Sequence, residues 1–415
     1  MAKIDPKKSL VVGTIRMGFG HHRIAYAMSS WGLQQPGLDV YFHDLLSIDS
    51  QEAGLIRETD AMYRASSKLA TEYGGPFEWF HGMLTSSGDA TSMRSTALIG
   101  ARLAPLMKGL PPDVPVIASH SLVALAAAVA GSKTILNLVI DNHPQWFVIT
   151  PKAHNLVQGP RNYIGLSKML GGVKDATTLT LAGHWIPQDL VVNAEADAAW
   201  RSSRASTPSA PLTILIPVGG AGAQRTFITS LIKELAPLVE AGRVRLVVNA
   251  GDHADMKEAL LESLSAIAGE VNVISNIAEA RGLAKNLRAW APGNEDAMPL
   301  LNLMAFTDYF AAVAATDILT RAVDVLACKP SELAFYPVPK LMIRRVGDHE
   351  AHSASRANEL GDGTAEARTV ADALEYTKLF LASEPLQTMN AAISVNARAG
   401  VYDGCKNALG HAQIA

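Results

Sequence analysis

The chain has 415 residues, 48% of them hydrophobic, with 36 Lys and Arg against 39 Asp and Glu for a net charge of −3. That length suits two domains of roughly 200 residues, each able to bury a core, and the near balance of charge excludes wholesale nucleic-acid binding. Cys328 and Cys405 lie far apart in sequence and make neither a disulfide framework nor a metal motif, which fits a reducing cytoplasm. The amino terminus runs from a few charges straight into an apolar strand too short for a secretory signal, so no such leader is expected. The longest apolar run, residues 122–130, is about half of a membrane span, so any membrane contact is expected to be peripheral, at the inner face.

The first predicted unit is SLVVGTIRMGFGHHRIAYAM, residues 9–28. Residues 10–12 read as a buried strand, Gly13, Gly18 and Gly20 as a loop, and a helix begins near His22. Glycines let a ligand approach the backbone, and the free amides at the helix start favour an anionic or strongly polar group. His21 and His22 stand at that mouth and can exchange protons near neutral pH. The glycines are not spaced as G-x-G-x-x-G, so a dinucleotide turn is missing, although Asp39 and Asp44 fall where a ribose-binding acid is expected.

A strand at 40–42, helices at 51–73 and 94–107, a strand at 114–118 with a helix from Leu122, and a strand at 135–140 come next in the chain. Apolar strands alternating with helices imply a parallel sheet covered on both faces. Residues 74–89, rich in aromatics and glycine, read either as a loop plugging the core or as an apolar rim for a lipid acceptor. Asp141, His143 and Trp146 come after a strand, at the end where open α/β sheets bind ligands. A strand at 179–182 leads to Gly183-His184-Trp185-Ile186-Pro187; taken singly, His143 and His184 also read as hydrogen-bonded structural histidines. Residues 201–211, RSSRASTPSAP, read as a linker.

A second unit repeats the first: a strand at 212–217, a glycine loop from Gly219 to Gln224, and a helix at 226–235. Two such starts imply an α/β protein of two Rossmann-like domains facing each other across a cleft. Strands at 244–249 and 271–275, a helix at 310–322, and strands at 323–328 and 340–346 complete the second domain. The expected divisions are 1–200, the linker 201–211, 212–385, and helices at 386–415, which folds of two facing Rossmann-like domains usually send back across to the first domain. An Ala118-Ser119-His120-Ser121 nucleophile elbow is rejected because its flanking glycines are missing.

The segment G-F-G-H-H-R-I-A resembles the G-x-G-H-x-x-x-A opening of a group of GT-B glycosyltransferases. These are the monogalactosyldiacylglycerol synthases and their relative that adds N-acetylglucosamine to a lipid-linked peptidoglycan precursor. The run from Asp141 to Trp146, the later Gly183 to Pro187, and the Gly219 to Gln224 loop are similar to family motifs in order and rough distance. Lys329-Pro330-Ser331-Glu332 departs from the family's Lys-Pro-Gly-Gly. The resemblance implies transfer of a sugar from a nucleotide-diphosphate donor, UDP in the first place, to an acceptor hydroxyl such as that of a lipid or lipid-linked molecule. It makes His21 the first choice for the catalytic base and Asp141 the second, with Gly18, Gly20, His22, His143 and Trp146 at the acceptor. Donor contacts fall to Gly219, Gly220, Gly222, Ala223, Gln224 and Arg225, with Ser331 capping a short helix, Glu332 on the ribose, and Asp348, His349 and Glu350 on the sugar. No cofactor and no metal are expected, the nucleotide-sugar being a substrate. The alternatives are a nucleotide-sugar epimerase on the same scaffold and a catalytically silent nucleotide- or sugar-binding protein.

Overall fold

The computed structural model describes residues 4–16, 19–54, 56–58, 99–170, 178–219, 224–293, 298–347 and 350–413. It contains two six-stranded sheets. The first joins β1 (Ser9–Thr14), β2 (Asp39–Asp44), β3 (Val116–Ala118), β4 (Ile135–Leu138), β5 (His154–Val157) and β6 (Thr178–Leu181) in the order β2-β1-β3-β4-β5-β6. The second joins β7 (Leu212–Pro217), β8 (Val244–Asn249), β9 (Val271–Ile274), β10 (Leu301–Met304), β11 (Val325–Cys328) and β12 (Lys340–Met342) in the order β12-β11-β7-β8-β10-β9. Every pairing is parallel, with Ser9 opposite Asp39 and Leu212 opposite Val244. The central strands β1, β7 and β8 are buried along their whole length, as unbroken apolar runs require when helices cover both faces.

Two strands go beyond the sequence expectation, β5 and β10, and both carry a buried asparagine. Asn155 donates to the carbonyls of Thr150 and Ala153 while its Oδ1 accepts from Asn137 at 2.8 Å. Asn302 donates to the carbonyls of Leu246 and Pro299 and accepts from Asn272. The polar residue interrupts the apolar run in sequence, and its hydrogen bonds make it acceptable inside a sheet.

The helices that shape the cleft and the domain contacts are α1 (Gly20–Gly32), α2 (Ser121–Val129), α3 (Ala194–Ala205), α4 (Arg225–Glu240), α5 (Ile277–Ala289), α6 (Tyr309–Thr320), α7 (Ser383–Arg398) and α8 (Gly404–His411). Of the helix expected at 94–107, residues 99–103 are helical and Ala104–Met107 is a 3-10 turn; the helix expected at 51–73 is described only over 51–54 and 56–58, which are helical, and the loop at 74–89 lies outside the described residues.

The stretch expected as a linker is different in kind. Residues 201–205 are the last turn of α3, and only 206–211 connect it to β7. Arg201 donates to the carbonyls of Val323, Pro337 and Thr320, and Arg204 pairs with Asp324 at 3.0 Å. The polar composition there reflects two buried guanidiniums anchored in the second domain, not a solvated chain.

Past the second sheet, α7 packs along α3 and the chain returns to the first domain. Cys405, Ala408 and Leu409 of α8 join Leu10, Ala25 and Met28 in the first core. The return path crosses residues 183–185 closely: the His184 amide donates to the Val401 carbonyl at 2.8 Å and the Gly404 amide to the His184 carbonyl at 3.1 Å.

The carboxyl ends of the two sheets face each other, which is the GT-B arrangement. Arg16, beyond β1, pairs with Asp252, beyond β8, at 2.7 Å. Phe19 packs on Tyr309 at 4.9 Å between ring centroids. Beyond β4, Asn142 Nδ2 donates to the His352 carbonyl at 3.2 Å.

Candidate active site

In an open α/β sheet a ligand crevice forms where strand order reverses. In the first sheet that point is between β1 and β3, and in the second between β7 and β11. The segments that follow these four strands carry His21, His120, Gly219 and Glu332, and those after β1 and β11 meet where Gly20 lies against Glu332.

His21 sits in the first turn of α1. Its Nδ1–H donates to the Ser119 carbonyl at 2.6 Å, since a carbonyl can only accept. That bond sets the tautomer and leaves the lone pair on Nε2. Burial pushes the His21 imidazole below its ordinary value, helped by His22 and opposed by the Ser119 carbonyl and the charges of Asp141 and Glu332. The ring is therefore neutral at pH 7.

His120 stands beside it, ring centroids 4.3 Å apart. Its Nδ1 accepts the Leu122 amide at 3.1 Å, at the start of α2, so the proton of the neutral ring is on Nε2. Burial, with His21 close by, pushes its pKa well down. The pair offers one ring acceptor and one ring donor side by side. In the sequence His120 reads only as part of the rejected nucleophile elbow; the signal it does carry is that of a histidine at the carboxyl end of a strand.

His22 does not reach the cleft. It is 2% exposed, lies 3.1 Å from Asp44, and packs against Phe42 and Tyr309. Burial pushes the Asp44 carboxyl up, but His22 and the amides of Leu46 and Arg16 outweigh this and hold it below its usual value. The neighbouring helix position simply faces inward. Arg23, next in α1 and 4% exposed, crosses to the second domain: Nη1 reaches Asp317 at 2.9 Å and Nε lies 3.6 Å from Glu332. Tyr336 also donates to Asp317, and burial pushes that carboxyl up to about 6 against the pull of Arg23.

Glu332, expected on a ribose, is turned toward the first domain, with Arg23 on one side and Gly20 on the other. A Cβ on Gly20 would lie 3.3 Å from Glu332 Oε2 and 3.2 Å from Ile140 Cδ1. Gly20 thus makes room for a neighbouring domain's carboxylate at the start of α1. Ser331 precedes a one-turn 3-10 helix, Glu332–Phe335, and makes no side-chain cap. Pro337 and Pro339 leave no length for a longer helix.

Glu350 is 5% exposed and both its oxygens are used within its own domain, Oε1 by Lys329 and Oε2 by the Val346 amide at 2.8 Å. It braces the loop rather than facing a sugar. The Lys329 side chain lies against Gly219, where a Cβ would stand 3.1 Å from its Cε. Gln224, at φ 70°, precedes α4, and its side chain donates to the Arg344 carbonyl. Arg225 opens α4 exposed to solvent. Gly18, Gly220, Gly222, Ala223, Asp348 and His349 lie outside the described residues, as does the side chain of Trp146.

Asp141 is half-buried at the end of β4, where its carbonyl accepts from Asn162 at 2.7 Å. His143 stacks on His352 of the second domain, centroids 4.4 Å apart and planes 6° from parallel. His184 is structural: buried, its Nδ1–H donates to the Phe335 carbonyl at 3.2 Å, and burial, with Arg356 and Lys340 near, pushes it down to about 3. Among the described residues no group of three His, Cys, Asp or Glu is placed to hold a metal ion, and no helix is long and apolar enough to cross a membrane.

Residues 174–413 match the model of a domain of unknown function, DUF6938. The chain belongs to the DUF6938 family. Residues 1–168 match a second domain of unknown function, DUF6937, and no curated protein matches the chain. Similar solved structures include Acinetobacter baumannii MurG, 15% identical over 98% of this chain and 99% of that one with a TM-score of 0.45. Another is E. coli ADP-heptose LPS heptosyltransferase II, 11% identical over 91% and 99% with a TM-score of 0.33. A third is a mutant Thermobaculum terrenum O-GlcNAc transferase, 11% identical over 97% and 70% with a TM-score of 0.33.

Proposed function

We propose that this protein is a metal-independent glycosyltransferase that moves a sugar from a nucleotide-diphosphate donor, UDP first among them, to an acceptor hydroxyl. The single observation that carries this reading is the His21 tautomer: Nδ1–H is engaged by the Ser119 carbonyl beyond β3, so the lone pair of a neutral imidazole is on Nε2, in the first turn of the helix that follows β1. The proton of the acceptor hydroxyl passes to Nε2 as its oxygen bonds to the anomeric carbon. The bond from that carbon to the diphosphate breaks, and the nucleoside diphosphate leaves with the electron pair. The His120 Nε2–H supplies a hydrogen bond to the acceptor oxygen, and Asp141 and Glu332 stabilise the imidazolium that forms. The amides at the start of α4 receive the leaving diphosphate. The acceptor is a hydroxyl compound, lipid or lipid-linked molecules included; the aromatic stretch that favours a lipid lies at 74–89, outside the described residues.

The test is the thermal melting shift with UDP, GDP, ADP and NAD, then release of nucleoside diphosphate from the matching nucleotide-sugar. A nucleotide at 100 times its Kd adds about 2.7 kcal/mol. Stabilisation by UDP or GDP, with turnover lost in His21→Ala while nucleotide binding persists, supports the transferase. Stabilisation by NAD alone sinks it. Silence across the panel favours the silent binding protein, a reading that the engaged carboxylates of Glu332 and Glu350 support.

A further inference from the structure

Away from the strand-reversal crevice, a cavity of about 420 Å³ opens between the two domains, walled by α1, residues 187–190, α5 and α6. From α1 and the residue that caps it come Tyr26, Ser30 and Leu33, spaced as one helical face. From α5 come Arg281, Lys285 and Arg288, again one face, and from α6 and the residue that caps it come Asp317, Ile318 and Arg321. Arg281 reaches across the gap electrostatically, since its charge acts on the Tyr26 phenol of the other domain.

The charges in this cavity do not balance. Arg288 and Arg321 share a single carboxylate, Asp197, at 2.7 and 2.9 Å. Asp317 is already held by Arg23 and Tyr336. Among the described residues Arg281 and Lys285 have no ion pair, and they stand one turn apart on the same helix, where like charges repel. With Arg23 and its second partner Glu332 counted, the five cations Arg23, Arg281, Lys285, Arg288 and Arg321 stand against the four acids Asp189, Asp197, Asp317 and Glu332, and the excess lies at Arg281 and Lys285, where it suits an anionic ligand. Around them Gln34, Gln188 and Ser30 supply hydrogen-bonding groups, and Leu33 and Ile318 an apolar floor.

We propose that this cavity is a second ligand site that takes a phosphomonoester of a sugar, its phosphate on Arg281 and Lys285 and its hydroxyls on Gln34, Gln188 and Asp189. Because its walls come from both domains, an occupant favours this arrangement of the two over any other.

Titration calorimetry of the full chain with glucose 6-phosphate tests the site, alongside Arg281→Glu/Lys285→Glu and His21→Ala. The wild type and His21→Ala are expected to bind with the same Kd. The double charge reversal, at exposed positions that leave the melting temperature unchanged, is expected to weaken binding by about tenfold or more. Inorganic phosphate, which meets only the cations, is expected to compete more weakly. No heat and no melting shift with glucose 6-phosphate, equal binding by the double variant, or loss of binding in His21→Ala would each overturn the proposal. The outcome is independent of nucleotide binding in the crevice.

Discussion

Replacing Gly404 with alanine is the most direct test of how the returning chain locks to the first domain. An added Cβ would stand 2.4 Å from the Gly183 carbonyl oxygen and 2.5 Å from that of His184. Both obstacles are backbone, so no flexible side chain can swing aside, and the two segments must separate by roughly 1 Å to restore a normal carbon–oxygen contact. Overpacking of this kind costs about 1–3 kcal/mol. Separation also breaks the 3.1 Å bond from the Gly404 amide to the His184 carbonyl, adding about 1–3 kcal/mol for an orphaned buried group. The expected total is about 2–6 kcal/mol. The control is Gly410→Ala on the same helix, where nothing lies within 4 Å of the added carbon; it should gain up to about 1 kcal/mol from helix propensity. Both are read as melting temperature and urea midpoint, followed by circular dichroism and tryptophan fluorescence in parallel, since a two-domain chain need not unfold in one step. A Gly404→Ala protein that melts with the wild type, or the two variants shifting alike, would refute the close crossing.

Asp141→Asn should move the acid limb of kcat/KM to lower pH. Burial lowers the His21 pKa and the Asp141 charge raises it; the base form is the active one, so removing that charge lets activity persist further into acid, and a limb moving upward would contradict the assignment. Arg23→Met should cost about 3–5 kcal/mol at pH 8 because it strands the buried Asp317 carboxylate. With Asp317 at about 6, that carboxyl takes a proton at pH 5 and no longer needs its partner, so the loss measured by urea unfolding should shrink there; an equal loss at both pH values would count against it.

The alternation of apolar strands with helices, the two strand-to-helix starts at β1–α1 and β7–α4, and the place of His21 in the first turn of α1 are legible in the sequence. These are local properties: a strand buried on both faces must be apolar throughout, and a loop that brings backbone close to a ligand needs glycine. What the residues do across the cleft is not legible there. His22 and His21 are adjacent in the chain, yet the helix turns one inward against Asp44 and leaves the other at the mouth. Glu332 and Glu350 look alike as carboxylates near a donor, but one faces Arg23 of the other domain and the other is enclosed by Lys329 and the Val346 amide. The polar run at 201–205 reads as solvated until the carbonyls of Thr320, Val323 and Pro337 are seen around Arg201. Each depends on partners distant in sequence or on the side a helix presents. Composition and spacing therefore determined most of the strands and helices and named His21 as a candidate, while the packing of one domain on the other decided which charged groups pair with which.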